Sequence, residues 1–313
     1  MRLSILTPLF NCLPHTQAML VSLRATLPRE LDWELVFIDD GSTDGTRDWL
    51  ATLPAFDPRI RILLQPENTA FAAATNRAAS VATGDTLALL NNDLVLSPNW
   101  LEPMLAALAV HRDAALVGNV QTAATGALHH TGIFINARGK PEHDRALPPS
   151  PAPLGVRPVV AVTAACALVR RDVFARLGGF DASFRNGHED VDLCLRARAA
   201  GQHCYVALGS SVAHHVSSSP GRTELKIRNA ARSMNRWRDV LPALAAEAWR
   251  DPHLRPAWEK RLSWPARLRT VLARRRASAA TPECPPWLLA SVRRSIDRQL
   301  ARWRRDLGGT LPT

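Results

Sequence analysis

The stretch Thr86–Leu96, TLALLNNDLVL, decides how the rest of the chain is read. Five mostly apolar residues, Thr86 to Leu90, run into Asn91-Asn92-Asp93; apolar residues resume at Leu94, and Pro98 ends the run. So short an apolar run between Gly84 and Pro98 predicts a buried strand. A strand buried on both faces finishes in three polar residues when its end opens onto a site or when a polar turn caps it. Ligands of open α/β sheets bind outside the carboxyl ends of the strands. Asp93 therefore stands where a hard cation or a polar ligand would meet the sheet.

The flanks repeat this pattern. Strands are expected at Leu3–Thr7, stopped by Pro8, and at Glu34–Ile38, Ile60–Leu64 and Ala115–Val120. Helices are expected at Thr16–Ala25, Thr46–Leu53, Ala70–Ala82 and Asn99–His111. Strands alternating with helices imply an α/β fold with a largely parallel, doubly wound sheet. Farther on, Ala127–Lys140 reads as a hairpin with Ile133–Ile135 on its second arm. Pro141–Pro158 reads as a proline-rich surface flap, Val159–Val169 as a second buried strand, and Asp172–Leu177 as a short helix. Cys204–Ala207 reads as a last strand leading to His214-His215.

Three polar clusters punctuate these elements. Asp39–Gly45, DDGSTDG, follows the second strand. A calcium loop starting at Asp40 is excluded, because its twelfth position, Ala51, lacks the required Glu. A dinucleotide fingerprint is excluded too, because the first strand ends in TPLFN and not in a glycine-rich turn. What remains is a carboxylate, Asp39, able to accept hydrogen bonds from a base or ribose, with Asp40 and Asp44 capping the helix at Thr46. In Gly187–Arg196, GHEDVDLCLR, the apolar spacing of Val191, Leu195 and Ala199 places Glu189 and Asp190 in a helix's first turn, where the dipole favours ionised carboxylates. Asp192 and Arg196 fall at i,i+4 as a surface pair of small value. His214-His215 is a further cluster able to bind metal.

Composition bounds the rest. The 313 residues are 46% hydrophobic, enough for a large domain plus an appendage. The longest apolar run, Val159–Val169, is about half a membrane span, and the N-terminus reads as a first strand and not a signal peptide. Five cysteines without CxxC spacing fit reduced thiols in a cytoplasmic protein. Arg255–Arg305 holds 14 Lys/Arg against three acids, so this tail carries the whole net charge of +11. Its clustered Arg with Trp258, Trp264, Trp287 and Trp303 raises the possibility of nucleic acid, but no nucleic-acid motif accompanies them. The same residues suit peripheral contact with an anionic membrane.

Together these motifs resemble the inverting glycosyltransferases of family 2, in the rhamnosyltransferase-like bacterial branch. The resemblance rests on IDDGSTDGT at Ile38–Thr46, Pro66–Asn68 with FAAATNRA at Phe71–Ala78, LLNNDLVLSPNWLE at Leu89–Glu102, TAACALVRRDVFARLGGFD at Thr163–Asp181, GHEDVDLCLRARAAG at Gly187–Gly201 and Ala213–His215. It implies a GT-A fold over residues 1–220, with 221–313 as a helical basic appendage. It implies transfer of a sugar from a nucleotide-diphosphate sugar to a glycan or lipid-linked acceptor in cell-surface polysaccharide synthesis. Thr7, Pro8, Asp39, Asn68, Asn76, Asn91 and Asn92 then line the nucleotide-sugar site. Asp93 matches the last residue of the DxD metal motif, with Asn91 in place of its first Asp, and His214 or His215 matches a further contact. The implied cofactor is Mg2+ or Mn2+. Asp190 matches the general base, with Glu189 beside it. The acceptor is expected to be shaped by the flap and the tail. The alternative is a sugar-nucleotide or glycan-binding module without catalysis.

Overall fold

Thr86–Leu90 is a strand with every residue buried, as its apolar run requires. In this computed structural model, residues 1–148, 155–215, 223–262, 265–267, 269–270 and 283–312 are described. The chain divides into two compact units, Met1–Gly132 with Pro151–Pro220, and Ile133–Ser150 with Gly221–Thr313. Ile133–Ser150 groups with the C-terminal helices and not with the sheet.

The first unit alternates β1 (Arg2–Leu9), α1 (Leu13–Thr26), β2 (Asp32–Asp39), α2 (Thr46–Phe56), β3 (Ile60–Leu64), α3 (Ala70–Val81) and β4 (Thr86–Leu90). After β5 (Leu94–Leu96) come α4 (Glu102–Val110), β6 (Ala114–Ala123) and β7 (Leu128–His130). A ten-stranded sheet results; β4, β1, β2 and β3 are parallel neighbours, and on the other side of β4 antiparallel and parallel pairings together complete it. Beneath it lies a core that includes Ile5, Leu35, Phe37, Trp100 and Leu168. Pro8 does not stop β1. Pairing with β4 is recorded only to Leu6, whereas pairing with β2 runs to Leu9. Pro8 thus has a strand neighbour on one side, where a missing N–H is tolerated.

The second half of the sheet departs from the sequence reading. Ala127–Lys140 is not a hairpin: β7 pairs back onto β6, while β8 (Ile133–Ile135) pairs with β9 (Pro141–His143) in the second unit. The Pro141–Pro158 flap contains β9 and the start of β10 (Val156–Val159); positions 149–154 lie outside the described residues. The apolar run Val159–Val169 is split between the end of β10 and β11 (Cys166–Arg170). Apolar composition alone cannot place such a break, because the intervening Ala161, Val162, Ala164 and Ala165 are buried without being strand.

After β11 come α5 (Arg171–Arg176), α6 (Glu189–Ala199) and β12 (His203–His214), a strand much longer than the expected Cys204–Ala207, with a register shift between Ala207 and Ser211. Asp192 and Arg196 are no surface pair. Asp192 is fully buried, Arg196 Nε donates to it at 2.8 Å, and the same guanidinium donates to the carbonyls of Leu177 and Gly179. This clamp holds α6 to the turn at Gly178-Gly179, where both glycines have positive φ.

The second unit contains α7 (Thr223–Trp237), α8 (Leu241–Arg250), α9 (Arg255–Glu259) and α10 (Pro286–Asp306). In α10, Leu288, Val292, Ile296, Leu300 and Trp303 form a buried stripe at helical spacing. Trp258 and Trp303 are therefore core residues of the unit and not interfacial anchors. Trp264 and Arg274–Arg276 of the basic tail lie outside the described residues.

Candidate functional site

The break after β4 builds the site. Asn91 N–H donates to the Ala165 carbonyl at 2.9 Å, which closes the end of β4 onto β11. The chain then turns through Asn92 and Asp93, and β5 leaves the line of β4 to pair antiparallel with β12, Leu94 opposite His214. The Asn92 amide donates to Thr16 Oγ1 on α1 at 2.9 Å, and His215 N–H donates to the Asp93 carbonyl at 2.9 Å. Asp93 and the two histidines, distant in sequence, thus share one sheet edge. His214 Nε2 lies 3.2 Å from Asp93 Oδ1, both side chains nearly buried. The His215 ring packs against His15 of α1, and the His129 ring meets His214 edge-on.

A divalent cation fits this pair. An oxygen and an imidazole nitrogen 3.2 Å apart match the roughly 3.0 Å edge between adjacent ligands of an octahedron with about 2.1 Å bonds. Among the described residues no three His, Cys, Asp or Glu side chains group into a site that could hold a metal alone. Two protein donors with the rest from phosphate and water is the usual arrangement for Mg2+.

Asp190 is brought to the same edge by the loop before β11. Its Oδ2 accepts from Ala164 N–H at 3.4 Å, next to the Ala165 that holds Asn91, and its Oδ1 accepts from Val191 N–H at 2.8 Å. Burial pushes its carboxyl above the usual range, opposed by the Val191 N–H, the charge of His188, the Ala164 N–H and the Thr163 hydroxyl. The expectation that the helix dipole would dominate is thus corrected: burial outweighs it. Glu189 differs in kind. It is buried, and its Oε2 accepts the Gly187 N–H at 2.6 Å, which fastens the turn where Asn186, Gly187 and His188 all have positive φ.

The other candidates separate into two groups. Thr7 is fully buried in β1 and its hydroxyl has no partner among the described residues; Pro8 follows it, also buried. Asp39 lies at the end of β2, fully buried, but its carboxylate is already engaged. Arg47 Nε donates to it at 2.6 Å, and the Gly41 and Ser42 N–H groups at 3.2–3.3 Å. Asn68 Oδ1 accepts from Ala70 N–H at 3.2 Å at the start of α3. Asn76 is not brought to the strand ends. Its amide donates to the Phe180 carbonyl at 2.7 Å and accepts from the Phe180 N–H at 2.9 Å. It lines a cavity of about 270 Å³ with Leu87, Arg171 and Phe174, so its role is to hold the Gly179-Phe180 turn. Asp44 caps α2 as expected, accepting from the Thr46 N–H and hydroxyl. Asp40 instead caps α3, accepting from Gln65, Thr69 and Ala70. Carboxylates adjacent in sequence serve different helices because only tertiary structure sets which amides they face.

Residues 4–178 match the sequence family described as glycosyl transferase family 2. The chain belongs to that family. It is 31% identical over 239 residues to the uncharacterized protein y4gI of Sinorhizobium fredii, and 31% over 227 residues to the O-antigen biosynthesis protein RfbC of Myxococcus xanthus. These matches take in 72% and 70% of this chain but 26% and 18% of those proteins. The N-acetylglucosaminyl-diphospho-decaprenol L-rhamnosyltransferase of Mycobacterium tuberculosis is 27% identical over 67% of this chain and 74% of its own length. Among solved structures, GalNAc-T7 with UDP, GalNAc and Mn2+ superposes with a TM-score of 0.64 at 15% identity, covering 83% of this chain and 54% of that one. The mannosyltransferase PcManGT from Pyrobaculum calidifontis, with GDP-Man and Mn2+, gives 0.59 at 16% identity over 97% and 87%. These likenesses establish the GT-A glycosyltransferase fold. Family membership also covers the sequence motifs around Asp39 and Asp93.

Proposed function

We propose that this family 2 chain transfers a sugar, with inversion, from a nucleoside-diphosphate donor to an acceptor hydroxyl in bacterial cell-surface polysaccharide synthesis. The observation that supports it most is the meeting of Asp93 and His214 at the end of β4, one loop away from Asp190. Asp93 and His214 would hold Mg2+ or Mn2+, which neutralises charge gathering on a leaving diphosphate. Thr7 and Pro8, with Asp39 beyond them, line the base and ribose side of the cleft. Asp190 takes the proton of the attacking hydroxyl while the bond from the anomeric carbon to the diphosphate oxygen breaks and the new C–O bond forms. A carboxyl raised by burial is a stronger base than a free one, which suits this task. One base and one displacement give inversion. Glu189, spent on Gly187, is left as a support.

The names of the relatives support a glycan or lipid-linked acceptor, and the nucleotide-sugar donor proposed here goes with a cytoplasmic site of action. Among the described residues no helix is long and apolar enough to cross a membrane. A thermal-shift panel of UDP-, GDP- and dTDP-sugars with and without Mn2+ tests the donor reading, since a ligand that binds the native state raises its stability. We expect one nucleotide class to stabilise the protein in a Mn2+-dependent way, and Asp93→Ala to remove the Mn2+ dependence. No shift with any donor leaves the non-catalytic alternative. Anomeric configuration of the product by NMR tests inversion.

A further inference from the structure

β6 buries two amide side chains on one face of an otherwise apolar strand. Asn119 and Gln121 are two residues apart, 0% and 1% exposed. A buried amide costs stability unless its groups are paired, so their partners matter. Gln121 Nε2 donates to Asn119 Oδ1 at 3.4 Å. With the amide so placed, Gln121 Oε1 is the atom 3.1 Å from His214 Nδ1. A carbonyl oxygen carries no hydrogen, so His214 Nδ1 must donate. In a neutral ring this leaves Nε2 without hydrogen, facing Asp93 Oδ1 at 3.2 Å. A bare nitrogen opposite a carboxylate oxygen repels it. The arrangement is at rest when a positive charge, a proton or a metal ion, lies between them.

We propose that Gln121 is a positioning residue that holds His214 in the Nδ1–H tautomer, so that Nε2 and Asp93 together present two lone pairs to a divalent cation. This rests on the reading of Asp93 and His214 as cation donors. Residues that orient a ligating histidine through its other nitrogen commonly change metal affinity by about 10–100-fold when lost. Asn119 holds the far end of the amide and prevents it from turning its NH2 towards the ring. Neither residue belongs to a motif of the sequence; the signal available was a pair of amides at strand period, GNVQT, in a buried run.

The test uses Mn2+ alone and Mn2+ with UDP or GDP, with affinity read by electron paramagnetic resonance on the full chain. Gln121→Leu is expected to weaken Mn2+ about 10–100-fold, and Gln121→Glu, which keeps an acceptor, to retain most of the affinity. In 15N-histidine spectra of the metal-free protein at alkaline pH, His214 is expected to carry its hydrogen on Nδ1 in the wild type and to lose that preference in Gln121→Leu. An Nε2–H wild-type ring, or unchanged Mn2+ affinity and tautomer in Gln121→Leu, overturns the proposal. The wild-type spectrum decides it even if the leucine variant fails to fold. His214→Ala separates the two levels: if it leaves Mn2+ binding intact, the cation reading itself is wrong, whereas loss in His214→Ala without loss in Gln121→Leu removes Gln121 alone.

Discussion

Two carboxylates at opposite ends of the same sheet, Glu34 buried and Asp190 half-buried, are treated in opposite ways. At the amino end, Glu34 of β2 is 2% exposed, and partners surround its carboxylate. Ser4 Oγ, Thr83 N–H and Thr83 Oγ1 donate to its Oε1 at 2.6–2.7 Å, and Arg61 lies 3.3 Å from its Oε2. Burial alone would raise its pKa; these donors together pull it down to about 2. At the carboxyl end Asp190 has fewer donors, with no arginine or lysine among the groups that lower it, and burial wins. The ionised form is stabilised where the sheet needs cohesion and left costly where the proposed chemistry calls for a proton acceptor.

The largest expected effect separates the two ends. Asp190→Asn keeps the shape and removes the proton acceptor, so transfer should fall by about 10²–10⁴ while donor binding survives. Its raised carboxyl favours the folded state when protonated, and that contribution is lost as pH rises through the folded pKa. The asparagine variant should therefore be at least as stable as the wild type at neutral pH, by calorimetry. For the same reason the acid limb of wild-type kcat/KM should lie above the range of a free carboxylate and vanish in the variant. Near-full transfer in Asp190→Asn with loss in Glu189→Gln would move the base to Glu189 and break the comparison.

Asp39 sharpens it from between. It lies at the site end, yet it is satisfied like Glu34 through Arg47. Asp39→Asn should weaken nucleotide binding by about tenfold or more, the worth of a charge-assisted hydrogen bond, measured by titration calorimetry. It should also lower stability, because Arg47 loses its partner. Unchanged affinity with lower stability would make Asp39 a purely structural acid.

Glu34→Gln is the reciprocal experiment. Loss of a charged acceptor from three strong donors should cost about 1.5–3 kcal/mol of stability and leave kcat unchanged. The folded pKa of about 2 lies below the unfolded 4.5, so the stabilisation is present above about pH 4.5 and is lost as pH falls towards 2. Denaturant midpoints should fall through that window in the wild type and less in the variant. A change in kcat without a change in stability would reverse the roles of the two ends.

The smallest effect should touch neither carboxylate. The exposed face of α10 carries Arg293, Arg294, Arg298 and Arg302 against Asp297. With Trp258 and Trp303 buried, contact of this face with an anionic lipid surface rests on charge, about 1 kcal/mol for each basic residue near the surface. Flotation with anionic vesicles should fall on raising salt and in Arg293→Gln with Arg298→Gln, with transfer to a soluble acceptor unchanged. No flotation at low salt removes the lipid surface as a partner.

Much of this was legible in the residues, and what was not has a common cause. Short apolar runs ended by acids marked β2 and β4, because burial on both faces demands mostly apolar side chains and leaves acids to the strand ends or to positions where partners surround them. The same logic located Asp39, Asp93 and, through helical spacing, Asp190. Val159–Val169 misled, because an apolar loop packed in a core has the composition of a strand. Asn76 misled because an asparagine in a matching motif looks the same whether it faces a ligand or a backbone turn.

Sequence by itself determined the alternation of strands and helices and the acids at their ends, since both follow from local periodicity and the cost of burying charge. Tertiary structure alone decided which distant groups meet: β5 crossing to β12, His214 against Asp93, Gln121 behind His214, Asp40 on α3 and Arg47 on Asp39. Such pairings depend on strand register and chain crossings over tens of residues, and no local pattern carries them, because a side chain's preference for burial is the same whichever partner it finds.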